Sequence, residues 1–258
     1  MKVLAVLGDP IIHSKSPIMY NNVFKKLNID AIYSRFCLKD KEVLKDLILK
    51  LKLYGANITL PFKEKALEIA DFKDNLALKI GSANTLLVKE NKIYAYNTDG
   101  IGFLRAIKSF EGIKSALILG AGGTARAISF VLKQNDIKVC IANRSKAKLE
   151  FFKDYENYLY DELKEFDFDI VINTTSAGLN DDNLPCDKVI LKKICQNAKY
   201  AFDAIYGKNT HFLRFCQNEG LICKDGFEML LWQGVYACKL FFGINDEELL
   251  ASYMAEVL

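Results

Sequence analysis

The chain has 258 residues, 51% of them hydrophobic and 26% charged, with 35 Lys and Arg against 32 Asp and Glu and a net charge of +3. At about 150 residues per domain this length predicts one large domain or two modest ones; it excludes intrinsic disorder and a disulfide-stapled miniature scaffold, since a chain this long can bury its own core. Charges of both signs are interspersed, so no nucleic-acid partner is expected.

Two scarcities narrow the chemistry. His13 and His211 are the only histidines, which rules out a three-histidine metal site, and no metal is expected. The seven cysteines are odd in number and form no C-x-x-C pair, so they read as buried or free thiols of a reducing compartment. The apolar run after Lys2 is stopped by Gly8, Asp9 and Pro10, too soon for a signal sequence. Elsewhere charges interrupt every apolar stretch before the roughly 18 residues of a membrane helix, and a cytoplasmic protein with no membrane partner is expected.

In chain order, residues 3–7 read as a strand, and Ser16-Pro17 as the N-cap and first-turn proline of a helix reaching about residue 27. A second strand is expected over 31–38. Val43, Leu44, Leu47, Ile48 and Leu51 then repeat at helical spacing within 40–54. A short strand at 56–59 is stopped by Leu60-Pro61, and strands at 85–89 and 93–96 read as a hairpin. Further strands are expected at 115–119, 137–142, 169–172 and 198–202, with helices after the first two and after the last, near 211–218. The tail from 226 reads as two helical segments, and 112–115 as the hinge.

Four polar clusters sit where a core would want none. Ser14-Lys15-Ser16 places two hydroxyls in a loop entering a helix, able to grip a carboxylate. The run Asn57-Ile58-Thr59-Leu60-Pro61-Phe62-Lys63 sets an amide, a hydroxyl and an amine around one bend. Asn84-Thr85 opens a strand, and Asn97-Thr98-Asp99-Gly100 closes the hairpin. Together they suggest a pocket for a polyhydroxylated acid.

The stretch Gly120-Ala121-Gly122-Gly123-Thr124-Ala125 follows an apolar strand and opens a helix, as a dinucleotide loop must. About 20 residues on, where an NAD site would carry a carboxylate, stand Asn143, Arg144 and Ser145, followed by Lys146, Ala147 and Lys148. A guanidinium there suits a 2′-phosphate, so the cofactor is read as NADP. The expected fold is α/β. An N-terminal, mostly parallel α/β substrate domain spans 1–100 and is completed by helices in 226–258. A doubly wound Rossmann-type dinucleotide-binding domain spans 101–225.

These motifs, with Asn173-Thr174-Thr175-Ser176-Ala177-Gly178, the D-x-x-Y of Asp203 and Tyr206, and a G-x-x-M-L-x-x-Q tail from Gly226 to Gln233, resemble shikimate dehydrogenase in order along the whole chain. The resemblance implies NADP-linked reduction of 3-dehydroshikimate to shikimate in aromatic amino acid biosynthesis. It makes Lys63 the catalytic acid/base paired with Asp99. It places the substrate among Ser14, Ser16, Thr59, Asn84, Asp99, Tyr206 and Gln233. It places NADP on Gly120, Ala121, Gly122, Gly123 and Thr124, on Asn143, Arg144, Ser145, Lys146, Ala147 and Lys148, and on backbone near Ala204 and Gly226. The family often has His where Tyr20 stands.

A lysine near its reference pKa of about 10.4, beside a carboxylate, is protonated at neutral pH and suits reduction. Two alternatives stand against this reading: a quinate/shikimate dehydrogenase with relaxed cofactor use, and a non-catalytic NADP(H)-binding sensor. The expected partner is a small molecule, and homodimer formation is left open.

Overall fold

The computed structural model describes residues 1–164 and 166–258. It divides into two compact units, Met1–Gly102 with Leu231–Leu258, and Phe103–Leu230.

In the first unit, β1 (Lys2–Gly8) leads into α1 (Ser16–Lys26) and β2 (Ala31–Cys37). These are followed by α2 (Leu44–Lys50), β3 (Gly55–Ile58), α3 (Lys63–Ile69), β4 (Phe72–Lys73), α4 (Asn75–Ile80), β5 (Thr85–Lys89) and β6 (Lys92–Tyr96). The sheet order is β2-β1-β3-β5-β6-β4. β1 pairs in parallel with β2 and β3, and β5 antiparallel with β3 and β6. The expected hairpin is therefore present, its turn made by Glu90 and Asn91 at φ of 50° and 58°, the left-handed values such tight turns require. Ala5, Leu7, Ala56, Ile58 and Leu86 face one core beneath α2 and α3.

Several local readings need correction. Lys15, not Ser16, occupies the N-cap of α1, and no side chain caps it; the Ser16 amide instead donates to Ser14 Oγ at 3.3 Å. The helix expected over 40–54 shrinks to a 3-10 turn at Lys41–Val43 and α2, and the chain then turns at Lys52 with φ 50°. α3, α4 and β4 were not anticipated, because segments this short carry too few apolar repeats to register a period.

The second unit begins within α5 (Asp99–Ala106) and runs through β7 (Ser115–Leu119), α6 (Gly123–Gln134), β8 (Lys138–Asn143) and β9 (Glu156–Leu159). It continues with β10 (Ile170–Asn173), α7 (Lys188–Cys195), β11 (Tyr200–Asp203), α8 (His211–Asn218) and β12 (Ile222–Lys224), and ends within α9 (Phe227–Phe242). α10 (Glu247–Ala255) follows in the first unit. The sheet is wholly parallel, in the order β12-β11-β10-β7-β8-β9. This is the doubly wound order, and it reverses direction between β7 and β10. Alternation builds its two cores: Ala116, Ile118, Val139 and Ile141 face one side, and Leu117, Leu119, Cys140 and Ala142 the other.

Residues 112–115, expected as the hinge, lie inside this unit. The chain passes between units within α5, after Gly102, and within α9, after Leu230. The helix expected after β8 is a 3-10 segment, Lys146–Phe152, while α7, β9 and β12 had gone unread.

Candidate active site

α3 begins at Lys63 directly after the Leu60-Pro61 bend, which directs this lysine inward, and only 8% of it is exposed. Its Nζ lies 2.5 Å from Asp99 Oδ2, at the first residue of α5. Asp99 is 5% exposed. Its other oxygen, Oδ1, accepts from Asn84 Nδ2 at 2.8 Å, and its backbone N–H donates to Asn97 Oδ1 at 3.1 Å. Both carboxylate oxygens thus have donors, and one donor is a cation, the arrangement in which a buried charge is tolerated.

Asn84 is the junction. Its Nδ2 also donates to Thr98 Oγ1 at 2.9 Å and to Gln233 Oε1 at 3.3 Å, while its Oδ1 accepts from the Thr98 amide at 2.8 Å. Lys63, Asp99, Asn84 and Gln233 are therefore one buried cluster, the last contributed by α9. Ser14 and Ser16 are buried at the start of α1, and Thr59 follows β3, where its Cγ2 packs so tightly against Gly8 that a Cβ there would come within 2.2 Å. Tyr206 belongs to the second unit, three residues beyond β11. His13 is exposed, and His211 Nδ1 lies 2.9 Å from the Asp182 carbonyl at the start of α8.

Thr85 and Thr98 belong to the polar clusters singled out in the sequence without a role of their own, and Tyr33 is a site residue that the sequence pattern does not mark. Tyr33 is buried, stacks on Tyr20 with ring centroids 4.3 Å apart, and donates its hydroxyl to Asn57 Oδ1 at 2.7 Å. The available signal was Asn57 itself, an amide in a wholly buried strand that had to find partners.

In the second unit, the glycine loop leaves β7 with Gly120 at φ 106°, where a Cβ would meet Thr174 Oγ1 at 2.7 Å. Only glycine fits that turn. Gly122 is the N-cap of α6, and nothing lies within 4 Å of where its Cβ would be. Bare backbone thus faces open space at the N-terminus of a 12-residue helix, a cradle that fits a pyrophosphate. Past the end of β8, Arg144, Lys146, Ala147 and Lys148 are exposed, and Asn143 Nδ2 donates to the Ser145 carbonyl at 2.9 Å. Ala204 and Gly226 meet: a Cβ on Gly226 would lie 2.4 Å from the Ala204 carbonyl oxygen. The residues present fit a phosphorylated dinucleotide.

Close by, Asp203 ends β11 fully buried, and accepts from Thr210 Oγ1 at 2.6 Å, the Ile205 amide at 3.0 Å and Asn173 Nδ2 at 3.1 Å. Burial is the leading cause of its carboxyl being pushed up from 3.8 to about 6, against the pull of those hydrogen bonds.

Residues 6–86 match the model of the shikimate dehydrogenase substrate binding domain. A shikimate dehydrogenase (NADP(+)) of Helicobacter hepaticus is 45% identical over 264 residues, covering 98% of this chain and 98% of that protein. One from Clostridium perfringens is 38% identical, covering 96% and 95%. Among solved structures, a shikimate dehydrogenase of Peptoclostridium difficile superposes with a TM-score of 0.88 at 31% identity, covering 100% of this chain and 98% of that one. A Thermus thermophilus shikimate 5-dehydrogenase in complex with NADP(H) and shikimate gives 0.84 at 31% identity over the full length of both. With both sequence and fold matched from end to end, the chain belongs to the shikimate dehydrogenase family.

Proposed function

We propose that this chain interconverts 3-dehydroshikimate and shikimate with NADP(H), with Lys63 passing the proton and Asp99 holding Lys63 in place. The enzyme class and cofactor follow from family membership: this is an NADP-dependent oxidoreductase of the shikimate pathway. The proton-transfer roles rest on one observation, the buried Lys63–Asp99 ion pair at 2.5 Å.

When bound, the reduced nicotinamide supplies a hydride to the ring ketone. Lys63 donates a proton to the oxygen as it becomes an alkoxide, and its ammonium stabilises the charge that builds there. Asp99 fixes the Nζ, and Asn84 fixes Asp99. In the reverse direction the neutral amine takes the hydroxyl proton, so oxidation needs a deprotonated Lys63. Ser14 and Ser16 supply hydroxyl donors for the substrate carboxylate, with Thr59, Asn84 and Gln233 available to its hydroxyls. In the second unit, the Gly122 cradle takes the pyrophosphate and Arg144 the 2′-phosphate. All seven cysteines are free, which supports placing the enzyme in a reducing cytoplasm.

The test is loss of NADPH absorbance on adding 3-dehydroshikimate, run beside quinate with NAD and beside a no-substrate control. Turnover of 3-dehydroshikimate is expected; cofactor binding without turnover would make the chain a sensor. Lys63→Ala should lower kcat by roughly 10² to 10⁴-fold. Near-normal kcat in that variant would take the acid/base role from Lys63.

A further inference from the structure

The first unit holds a line of hydrogen bonds whose donors all point toward Asp99. Tyr33 OH donates to Asn57 Oδ1 at 2.7 Å, and Asn57 Nδ2 donates to Thr85 Oγ1 at 3.1 Å. Thr85 Oγ1 donates to Asn84 Oδ1 at 3.1 Å, Asn84 Nδ2 donates to Asp99 Oδ1 at 2.8 Å, and Lys63 closes on the other carboxylate oxygen. All six residues are buried.

The direction has a chemical origin. A hydroxyl carries one proton, and a primary amide presents acceptor and donor on opposite sides. The Asn84 backbone carbonyl, an acceptor at 3.4 Å, keeps the Asn57 NH2 on the Thr85 side, so Asn57 Oδ1 faces Tyr33 and the phenol is the donor. Thr85 Oγ1 accepts from Asn57 and gives its own proton to Asn84 Oδ1, with Thr98 Oγ1 at 3.4 Å as its other neighbour. The Thr98 amide donates to the same Asn84 Oδ1 at 2.8 Å, so the Asn84 NH2 faces Asp99. Without the Tyr33 hydroxyl, Asn57 Oδ1 loses this donor in a buried place and the amide shifts to find another, which loosens its bond to Thr85 and, through Thr85, one of the holds on Asn84. Burial pushes the Tyr33 phenol well above its ordinary range, so it remains a donor at any assay pH. Its ring is held independently by stacking on Tyr20 with the planes 1° apart.

We propose that Tyr33 is a positioning residue for the reduction: its hydroxyl anchors the Asn57 amide and, through Thr85 and Asn84, steadies the geometry of the Asp99–Lys63 pair. This inference rests on the acid/base reading of Lys63. A preformed donor array of this kind acts on the chemical step, because it holds the proton donor where charge develops.

Steady-state kinetics of the full chain with NADPH and 3-dehydroshikimate test it. Tyr33→Phe, which keeps the stacked ring, is expected to lower kcat about tenfold while KM for 3-dehydroshikimate stays within about twofold. Thr85→Val should produce a similar loss, which Thr85→Ser should restore because it keeps the hydroxyl. The double variant Tyr33→Phe/Thr85→Val should be no slower than the slower single variant, since both break one chain. In a Lys63→Ala background, Tyr33→Phe should leave the residual rate where it is. The inference is overturned by a kcat within twofold of the parent in Tyr33→Phe, by an effect confined to KM, or by losses that multiply in the double variant. An impaired Lys63→Ala beside a normal Tyr33→Phe would remove this inference alone, whereas a normal Lys63→Ala would remove it together with the reading beneath it.

Discussion

Each unit buries one aspartate among donors, and the two are paired differently. Asp99 has a lysine ammonium at 2.5 Å and an amide NH2 at 2.8 Å. Asp203 has a hydroxyl, a backbone amide and a side-chain amide, all neutral, and its carboxyl is pushed to about 6. Burial opposes charge in both places, and only a neighbouring cation repays it in kind. The first aspartate therefore holds a cationic side chain, while the second ties the ends of β10 and β11 to the start of α8. The contrast extends to ligand recognition. In the first unit the substrate candidates Asn84, Asp99 and Gln233 are already bonded to one another and buried. In the second, the backbone at Gly122 faces open space and the cations around Arg144 are exposed.

The largest effect should come from breaking the charged pair. Asp99→Asn leaves the Lys63 ammonium buried without the Asp99 charge, and should lower kcat by at least about 10²-fold and destabilise the fold by about 3–5 kcal/mol, read from urea midpoints. A variant as stable and active as the parent would show that the pair needs no charge.

Next is the pH dependence at Asp203. Between about pH 4 and 6 the folded chain keeps a proton that the unfolded chain has lost, so this group's contribution to stability is greatest below pH 4 and falls by roughly 3 kcal/mol as pH rises to about 6. Relative to Asp203→Asn, which does not titrate, the parent should lose stability across that window. A constant difference from pH 4 to 6 would mean that the Asp203 carboxyl is not raised.

Cofactor choice sharpens the solvent-facing side of the comparison. Charge-assisted hydrogen bonds contribute about 1.5–3 kcal/mol each, so Arg144→Asp should shift the NADP/NAD ratio of kcat/KM toward NAD by about 10 to 100-fold. An unchanged ratio would take the 2′-phosphate away from Arg144. The smallest effect on folding is expected at Gly122→Ala. Its Cβ meets nothing and its φ of −94° suits any residue, so stability should hold within about 0.5 kcal/mol while KM for NADPH rises. A marked drop in stability would mean that the loop is shaped by folding and not by its ligand.

How far the residues could be read follows from the range of the forces involved. Four strands of the second unit, β7, β8, β10 and β11, were legible because each is a compact apolar run between turn residues, and α8 was legible to the residue because Thr210 caps it, its Oγ1 accepting from the Leu213 amide at 3.3 Å. The N-cap of α1 was misplaced because Ser16 before Pro17 has the residue type of a cap, whereas in the packed loop the Ser16 amide bonds Ser14 Oγ and Lys15 holds the cap position with no side-chain bond. The long helix over 40–54 was overextended because no glycine or proline stops it before Gly55, while the backbone already turns at Lys52. The hinge was sought at 112–115, next to a glycine, yet that stretch lies inside the second unit, and the change of unit falls inside two helices, after Gly102 and after Leu230, where no composition change marks it.

By itself the sequence determined the chemistry on offer: two histidines, too few for a three-histidine metal site, one lysine after a proline bend, a glycine loop opening a helix, and an arginine where a carboxylate would select NAD. These are properties of residue type and short spacing, carried by local sterics and charge. The tertiary structure alone decided which of them meet. Lys63 and Asp99 are 36 residues apart and Asn84 and Gln233 are 149 apart, and no local rule brings them within hydrogen-bond reach. Tyr33 joins them only because β2 pairs with β1 and β1 with β3, which lines its hydroxyl up with the Asn57 amide. Burial then requires every donor in that line to find an acceptor, and a cluster of polar side chains becomes an ordered array.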